Sequence, residues 1–145
     1  MIIEHVLAKK QFKELITVHR NDTILKAAQL LAKNKIGALP VTSNGLLVEG
    51  IISERDIVKK IASNGEKALT LTVEYVMTKT VSTCTKIDTL KDVITRMNTG
   101  RFRHMPVLNE KEMIGFISIS DLVLSHLNEV EFENNAMRGS VTGTM

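Results

Sequence analysis

The chain has 145 residues, the size of one ordinary domain or of two very small ones, and it is 43% hydrophobic and 24% charged. These fractions are typical of soluble globular proteins and argue against disorder. No apolar run approaches the ~18 residues that cross a membrane, and the N-terminus lacks the basic start of a secretory signal. Because Cys84 is the only cysteine, we expect a reducing, cytoplasmic setting without an internal disulfide.

Lysine and arginine (19) exceed aspartate and glutamate (16), and the excess is unevenly distributed. Residues 1–109 carry 17 basic and 10 acidic side chains, whereas residues 110–145 carry 2 and 6. A basic body attracts small anions or nucleic acid, although most such surfaces are simply solvated. Four Phe, one Tyr and no Trp offer little for base stacking. Binding of nucleic acid by the basic face therefore remains an alternative to binding of a small anion.

In chain order, the first half predicts the series strand, helix, strand, strand, helix. The strand signals are β-branched or apolar runs, and the helix signals are apolar residues three or four positions apart. The elements are residues 16–18, a helix capped by Asp22, residues 38–41, residues 46–52 after a turn, and a helix that begins at Ser53 and ends near Gly65.

The second half repeats the first. The segment Leu39 to Val41 recurs 66 residues later around Pro106, and the segment that begins at Gly50 recurs 65 residues later at Gly115. We therefore predict two repeats, residues 10–65 and 74–127, and a C-terminal helical tail over residues 128–145. The predicted fold class is α/β (α+β). Two β-α-β-β-α units would pack with pseudo-two-fold symmetry, share one core and leave two equivalent clefts between them.

The helix that leads into the tail has residues at the spacing of a two-helix seam, and all but one of them are apolar. Val123, Leu127, Val130, Asn134 and Met137 follow one another at intervals of four, three, four and three residues. This spacing fits pairing with a second copy of the helix, and it fits packing on the helix's own domain equally well.

Two helix starts carry the same polar pattern. Ser53 and Asp56 open one helix, and Ser118 and Asp121 open the other, each after a glycine and an apolar strand. Ser-x-x-Asp is a common capping pattern, so a single copy has a purely structural explanation. Two copies at matched positions suggest a nucleoside with a phosphate, because helix N–H groups and Ser hydroxyls receive phosphate while Asp accepts ribose hydroxyls.

A basic cluster precedes the proline of the second repeat. Arg101, Arg103 and His104 lie within four residues. At the positions equivalent to Arg103 and His104, the first repeat has Gly37 and Ala38. Cations opposite small residues favour a phosphate pocket, and a basic, solvent-facing strand edge is the alternative.

Catalytic chemistry finds little support in the sequence. The four histidines lack partners at zinc-ligand spacing, and Cys84 is expected to be a buried, inert thiol. We therefore expect neither an enzyme nor a bound metal nor a catalytic cofactor.

The repeated segments resemble a known family. Residues 50–57 and 115–122 look like the Gly-x-x-Ser/Thr-x-x-Asp signature of cystathionine-β-synthase (CBS) domains, and the segments at Pro40 and Pro106 look like the preceding strand. Residues 75–78 look like the Val-Met-Thr start of a second copy. The resemblance spans roughly residues 10–127, and it is strongest to small bacterial proteins that consist of one CBS pair.

The resemblance implies a disc that binds adenine nucleotides in clefts between the repeats: AMP, or alternatively ADP, ATP, NAD or S-adenosylmethionine. Asp56 and Asp121 would hold ribose hydroxyls, and Ser53 and Ser118 would face phosphate. Expected at the adenine or the phosphate are Thr17, Gly37, Ala38, Leu39 and Pro40, their counterparts Thr83, Arg103, His104, Met105 and Pro106, and also Arg55, Arg101 and Ser120.

The family resemblance also implies how such a protein works. We expect a non-catalytic regulatory module that signals to a partner protein by a change of conformation or oligomeric state. A homodimer through the disc faces and the C-terminal helix would fit the seam. Gly37 and Ala38 stand where many members carry basic residues, and Ser120 replaces the basic residue seen at Arg55, so the two clefts need not fill equally.

Overall fold

The computed structural model describes residues 1–10 and 15–142, with side-chain surroundings given as far as residue 137. Residues 143–145 of the predicted tail and residues 11–14 of the first predicted repeat lie outside this description. The helices are α1 (Ile3–Lys9), α2 (Ile24–Asn34), α3 (Glu54–Asn64), α4 (Leu90–Gly100) and α5 (Ile119–Thr142). The strands are β1 (Ala38–Val41), β2 (Gly50–Ser53), β3 (His104–Asn109) and β4 (Glu112–Ser118). Two 3-10 helices, Gly65–Thr70 and Val73–Tyr75, follow α3.

Among the described residues, each half combines an antiparallel ladder with a parallel bridge. β1 pairs with β2, and Val18 adds a parallel bridge to Val41. β3 pairs with β4, and Cys84 adds the matching bridge to Val107. The mixed sheets and the alternation of strands and helices confirm the predicted fold class. The predicted strand over residues 16–18 is reduced to a single bridge, because only Val18 is paired through its backbone.

β2 is shorter than the strand predicted over residues 46–52. Asn44 Oδ1 accepts the N–H groups of Leu46 and Leu47, each at 2.9 Å, and this holds the stretch in a turn. The carbonyl of Leu46 accepts the N–H of Met113 at 2.7 Å, a contact with the other half of the chain. The first apolar residues of this stretch therefore form a loop at the boundary between the halves.

Side chains and a glycine fix the ends of the first two long helices. Thr23, and not the predicted Asp22, caps α2, since its hydroxyl accepts the N–H of Lys26 at 3.1 Å. Asp22 instead accepts the N–H of His19 at 2.9 Å and stabilises the preceding turn. Gly65, at φ +67°, ends α3 as the sequence predicts.

Two short segments with related sequences are exchanged between the halves. The first arm, residues 1–7, packs on the second half, where the N–H of Ile3 donates to the carbonyl of Asp88 at 2.9 Å. The second arm, residues 71–77, packs on the first half through the equivalent bond from Val73 to Asp22, at 2.8 Å. Ile3 and Val73 are both fully buried. Each half is therefore completed by the segment that leads into the other.

The buried apolar residues form two clusters, one for each half, and not the single shared core expected from the sequence. The exchanged arms explain why each half has its own cluster, because they supply apolar residues that a lone small repeat lacks. The cluster of the first half contains Val18, Ile24, Ala27, Leu31, Leu39, Val41, Ile52, Ile57, Val73 and Met77. The cluster of the second half contains Ile3, Val6, Cys84, Leu90, Val93, Met97, Met105, Val107, Ile117 and Leu122.

Helix α5 runs without interruption from the second repeat into the predicted tail. It packs on the second cluster through Leu122, whereas the seam residues Leu127 and Met137 are 58% and 67% exposed. This exposure argues against packing of the seam on its own domain. Within the described ranges, no helix has both the length and the apolar character needed to cross a membrane.

Candidate functional site

The two helix starts with the Ser-x-x-Asp pattern have the same geometry. The N–H of Ser53 donates to Asp56 Oδ2 at 2.9 Å, and the N–H of Asp56 donates to Ser53 Oγ at 3.2 Å. The corresponding distances for Ser118 and Asp121 are 2.9 and 3.1 Å. Both pairs are therefore capping boxes, as the structural explanation of the pattern requires.

Capping leaves part of each pair available to a ligand. Only Oδ2 of Asp56 takes part in the cap, and Oδ1 has no hydrogen-bond partner among the residues that the structure describes. The Ser hydroxyls act as acceptors in the caps, so each retains a proton that it can donate. Asp56 and Asp121 are half-buried, which leaves both accessible. A cap and a contact with ribose or phosphate are thus chemically compatible.

The ladders place these helix starts beside the strand ends predicted to meet the ligand. Ala38 lies opposite Ser53, and His104 lies opposite Ser118. The side chains of Leu39 and Met105 lie in the two apolar clusters, so these residues can reach a ligand only through their backbone. The strand prolines, Pro40 and Pro106, are buried as well.

Gly37 and His104 come together at the boundary between the halves. A Cβ placed on Gly37 would lie 3.5 Å from His104 Cε1 and 3.7 Å from Glu54 Oε1. The His104 ring stacks on Phe116, with centroids 5.6 Å apart and 14° between the ring planes. A small residue of the first half therefore faces an aromatic ring of the second half.

His104 carries no charge at neutral pH. Burial, together with the positive charges of Lys10 and Arg103, lowers the pKa of His104 to about 4, although Asp121 acts in the opposite direction. This corrects the expectation that His104 supplies positive charge to a phosphate. The neutral ring can instead stack on a ligand or form a hydrogen bond with it.

The predicted arginines lie on the surface. The side chains of Arg55, Arg101 and Arg103 are exposed. Arg101 ends α4 in the left-handed region at φ +58°, and Lys35 ends α2 in the same way at φ +54°. Arg101 and Lys35 therefore end equivalent helices of the two repeats in the same way, and the side chain of Arg101 is exposed to solvent.

Three other predicted residues are not joined to the carboxylates. Thr17 and Thr83 are half-buried, and Arg96 donates a hydrogen bond to the carbonyl of Thr83. Within the described residues, no hydrogen bond connects either threonine to a helix start. Ser120 is exposed in the first turn of α5, as Arg55 is in α3.

One residue of the second site was not anticipated. Lys10, directly after α1, places Nζ 3.1 Å from Asp121 Oδ2 and donates to the carbonyl of Phe116. The first arm brings it there. The sequence contains a signal for this placement, because residues 3–6 and 73–76 share a glutamate at their second position and a valine at their fourth.

Two surface depressions adjoin the predicted residues. The larger, about 470 Å³, lies between α2 and α3 and includes Gly37 and Glu54 in a mainly apolar lining. The smaller, about 240 Å³, fits nucleotide chemistry better, because it combines a carboxylate with two ammonium groups. It is lined by Asp56, Lys59, Lys60, Ser63, Tyr75 and Val76.

The lone thiol is buried and unreactive. Burial raises the pKa of Cys84 to about 12, so the group is protonated at neutral pH. Over the described parts of the chain, no three His, Cys, Asp or Glu side chains are grouped closely enough to hold a metal ion.

The family model of the CBS domain matches the chain twice, over residues 10–63 and 73–127. The chain belongs to the CBS-domain family. The two matches confirm the resemblance to a tandem CBS pair.

Relatives of this CBS pair are found among solved structures and curated proteins. It is similar to the CBS-domain containing protein ATU1752 from Agrobacterium tumefaciens, with 36% identity and a TM-score of 0.81 over 86% of this chain and 92% of that one. The CBS domain pair of protein MJ0100, solved in complex with 5′-methylthioadenosine and S-adenosyl-L-methionine, is 28% identical with a TM-score of 0.75 over 88% and 98%. YhcV of Bacillus subtilis is 28% identical over 115 residues, which is 79% of this chain and 81% of YhcV. Other curated relatives are longer, and the chain spans 26% of the length of two CBS domain-containing proteins from Arabidopsis thaliana.

Proposed function

We propose that this CBS pair is a non-catalytic regulatory module that binds an adenine nucleotide, AMP first and ADP, ATP or NAD alternatively, in clefts between its repeats. The proposal rests on the doubled helix start, where a Ser hydroxyl, a half-buried carboxylate and helix N–H groups meet in both halves. The adenosine-containing ligands of the MJ0100 pair support this class of ligand.

Each group has a proposed role. Asp56 and Asp121 accept the hydroxyls of the ribose, and Ser53 and Ser118 donate to the phosphate. The exposed arginines, Arg55, Arg101 and Arg103, approach the phosphate from the surface. The neutral ring of His104 and the backbone at Ala38 and Leu39 contact the adenine, with Gly37, Pro40, Met105 and Pro106 shaping that wall and Thr17, Thr83 and Ser120 at its border.

The proposed output is a shift between conformations or oligomeric states that a partner protein detects in the cytoplasm. Such a shift requires the nucleotide to bind one state more tightly than the other. The exposed apolar residues of α5, with Val123 at 45% and Leu127 at 58%, support a homodimer formed through this helix and the disc faces. Ligand in the clefts would then change the angle or the strength of that contact.

The test replaces both carboxylates by amides, Asp56→Asn with Asp121→Asn, and measures binding of AMP, ATP and NAD by calorimetry. Asparagine keeps an oxygen that accepts the capping N–H, so the helix starts are preserved, but in place of the second carboxylate oxygen it presents an amide NH2 group, which cannot accept a hydrogen bond from a ribose hydroxyl. We expect the affinity to fall by about ten-fold or more, since hydrogen bonds to charged groups contribute about 1.5–3 kcal/mol. Asp22→Asn with Asp88→Asn is the matched control at two turn residues away from these helix starts.

Three results would contradict the proposal. The first is a double variant that binds all three nucleotides as tightly as the unsubstituted protein. The second is conversion of ATP to products during prolonged incubation. The third is a complex with nucleic acid that weakens steeply with salt and is not displaced by AMP, which would favour the basic-face alternative.

A further inference from the structure

We infer that Lys10 competes with the ligand for the second cleft, so that the cleft containing Asp56 fills before the cleft containing Asp121. This inference rests on the proposed function, because it concerns the carboxylates that would meet the ribose. It adds a residue of the N-terminal segment to the site, and it makes two clefts of related sequence unequal.

The contact of Lys10 occupies one oxygen of the carboxylate in the second cleft, whereas Oδ1 of Asp121, like Oδ1 of Asp56, has no hydrogen-bond partner among the described residues. Nζ of Lys10 lies 3.1 Å from Asp121 Oδ2, the oxygen that also accepts the N–H of Ser118 at 2.9 Å. The same ammonium group donates to the carbonyl of Phe116. The side chains of Lys10 and Asp121 are 28% and 27% exposed, so water shields the pair only in part. A ribose that approaches Asp121 would meet an ammonium group already bonded there.

The first cleft has no equivalent arrangement among the described residues. When the alignment of residues 1–7 with residues 71–77 is extended by three positions, Lys10 corresponds to Thr80, which is uncharged. Ile51, the counterpart of Phe116, is paired along the backbone with Thr78 by hydrogen bonds of 3.0 and 2.8 Å. Asp56 forms no ion pair within the described ranges, although Lys59 and Lys60 line the nearby depression.

The difference between the clefts follows from what the ligand replaces. To use both carboxylate oxygens, the two ribose hydroxyls have to displace Lys10 from Asp121 Oδ2 in the second cleft, with loss of its ion pair and its hydrogen bond to the carbonyl of Phe116, whereas in the first cleft they displace only water. Partly exposed ion pairs are weak, so we expect a difference of about two- to five-fold in Kd. The sign of the effect is decisive, because a lysine that bound the phosphate would have to strengthen binding.

The test uses the full chain with adenosine, which has the ribose hydroxyls and lacks phosphate. Asp56→Asn weakens the first cleft, and Lys10→Met or Lys10→Arg is added in this background. By calorimetry we expect Lys10→Met to lower the Kd for adenosine about two- to five-fold. Lys10→Arg keeps the charge and is expected to leave the Kd near that of the parent. An unchanged or higher Kd for Lys10→Met overturns the inference.

A second measurement follows the lysine itself in the unsubstituted protein. Acetylation with an amine-reactive ester, read by peptide mass spectrometry, compares Lys10 with the exposed Lys33 and Lys86. Saturation with adenosine is expected to raise the acetylation rate of Lys10 and to leave the other two rates unchanged. A constant or lower rate at Lys10 overturns the inference. Failure of both the unsubstituted protein and Lys10→Met to bind adenosine, AMP, ADP, ATP or NAD would instead overturn the proposed function itself.

Discussion

Gly50 and Gly115 lie at equivalent positions under the two arms, and alanine at each position tests how the arms are held. A Cβ on Gly50 would lie 2.7 Å from Met77 Sδ and 2.9 Å from the carbonyl oxygen of Thr78. The nearest atoms to a Cβ on Gly115 all belong to the side chain of Leu7, the closest being Cδ2 at 2.6 Å. A side chain can rotate away, whereas the backbone at Thr78 has to shift.

The magnitudes follow from this difference. Inserting a methyl group into a well-packed contact costs about 1–3 kcal/mol, and the upper part of that range applies where backbone has to move. Replacing glycine by alanine also stabilises by about 0.4–1 kcal/mol through the unfolded chain. We therefore expect Gly50→Ala to lower the free energy of unfolding by about 2 kcal/mol and Gly115→Ala by less than about 1 kcal/mol.

Urea unfolding followed by circular dichroism measures both variants against the unsubstituted protein. With a slope of about 2 kcal/mol per molar urea, Gly50→Ala should lower the midpoint by about 1 M. Gly115→Ala serves as the matched control, because it makes the same chemical change at the equivalent position. Equal destabilisation of the two variants, or a larger loss for Gly115→Ala, would refute the reasoning.

Two further predictions concern the half-buried ring of His104 and the exposed face of α5. Because burial lowers the pKa of His104 from 6.5 to about 4, the unfolded chain binds a proton there before the folded chain does. The fold should therefore lose stability as the pH falls from about 6.5 to about 4, by up to about 3 kcal/mol, and be unaffected by this group above that window. Urea unfolding at several pH values should show that His104→Gln removes this part of the slope; identical slopes would contradict the assignment. Leu127→Asp should weaken self-association at least about ten-fold in sedimentation experiments, since it removes a leucine that the proposed dimer would bury, whereas Phe132→Asp, off the seam, should have little effect. A monomeric unsubstituted protein, or equal effects of the two changes, would count against the dimer.

The sequence predicted best those features that are local or repeated. The duplication, the helix starts at Ser53 and Ser118, and the end of α3 near Gly65 each depend on a few neighbouring residues. The prediction that Asp22 caps α2 was wrong by one position, because Asp22 and Thr23 are both good caps and only the turn geometry decides between them. The single shared core was wrong because the arms were not recognised as part of each half.

By itself, the amino-acid sequence determined the family, the two repeats and the residues that begin their helices, because a pattern used twice is visible without coordinates. Only the tertiary structure decided which repeat each arm completes, since exchange between the halves depends on contacts between residues distant in the chain. It also decided that His104 is neutral and that Lys10 bonds to Asp121. Charge state and pairing are set by burial and by neighbours from other segments, and a linear pattern contains neither.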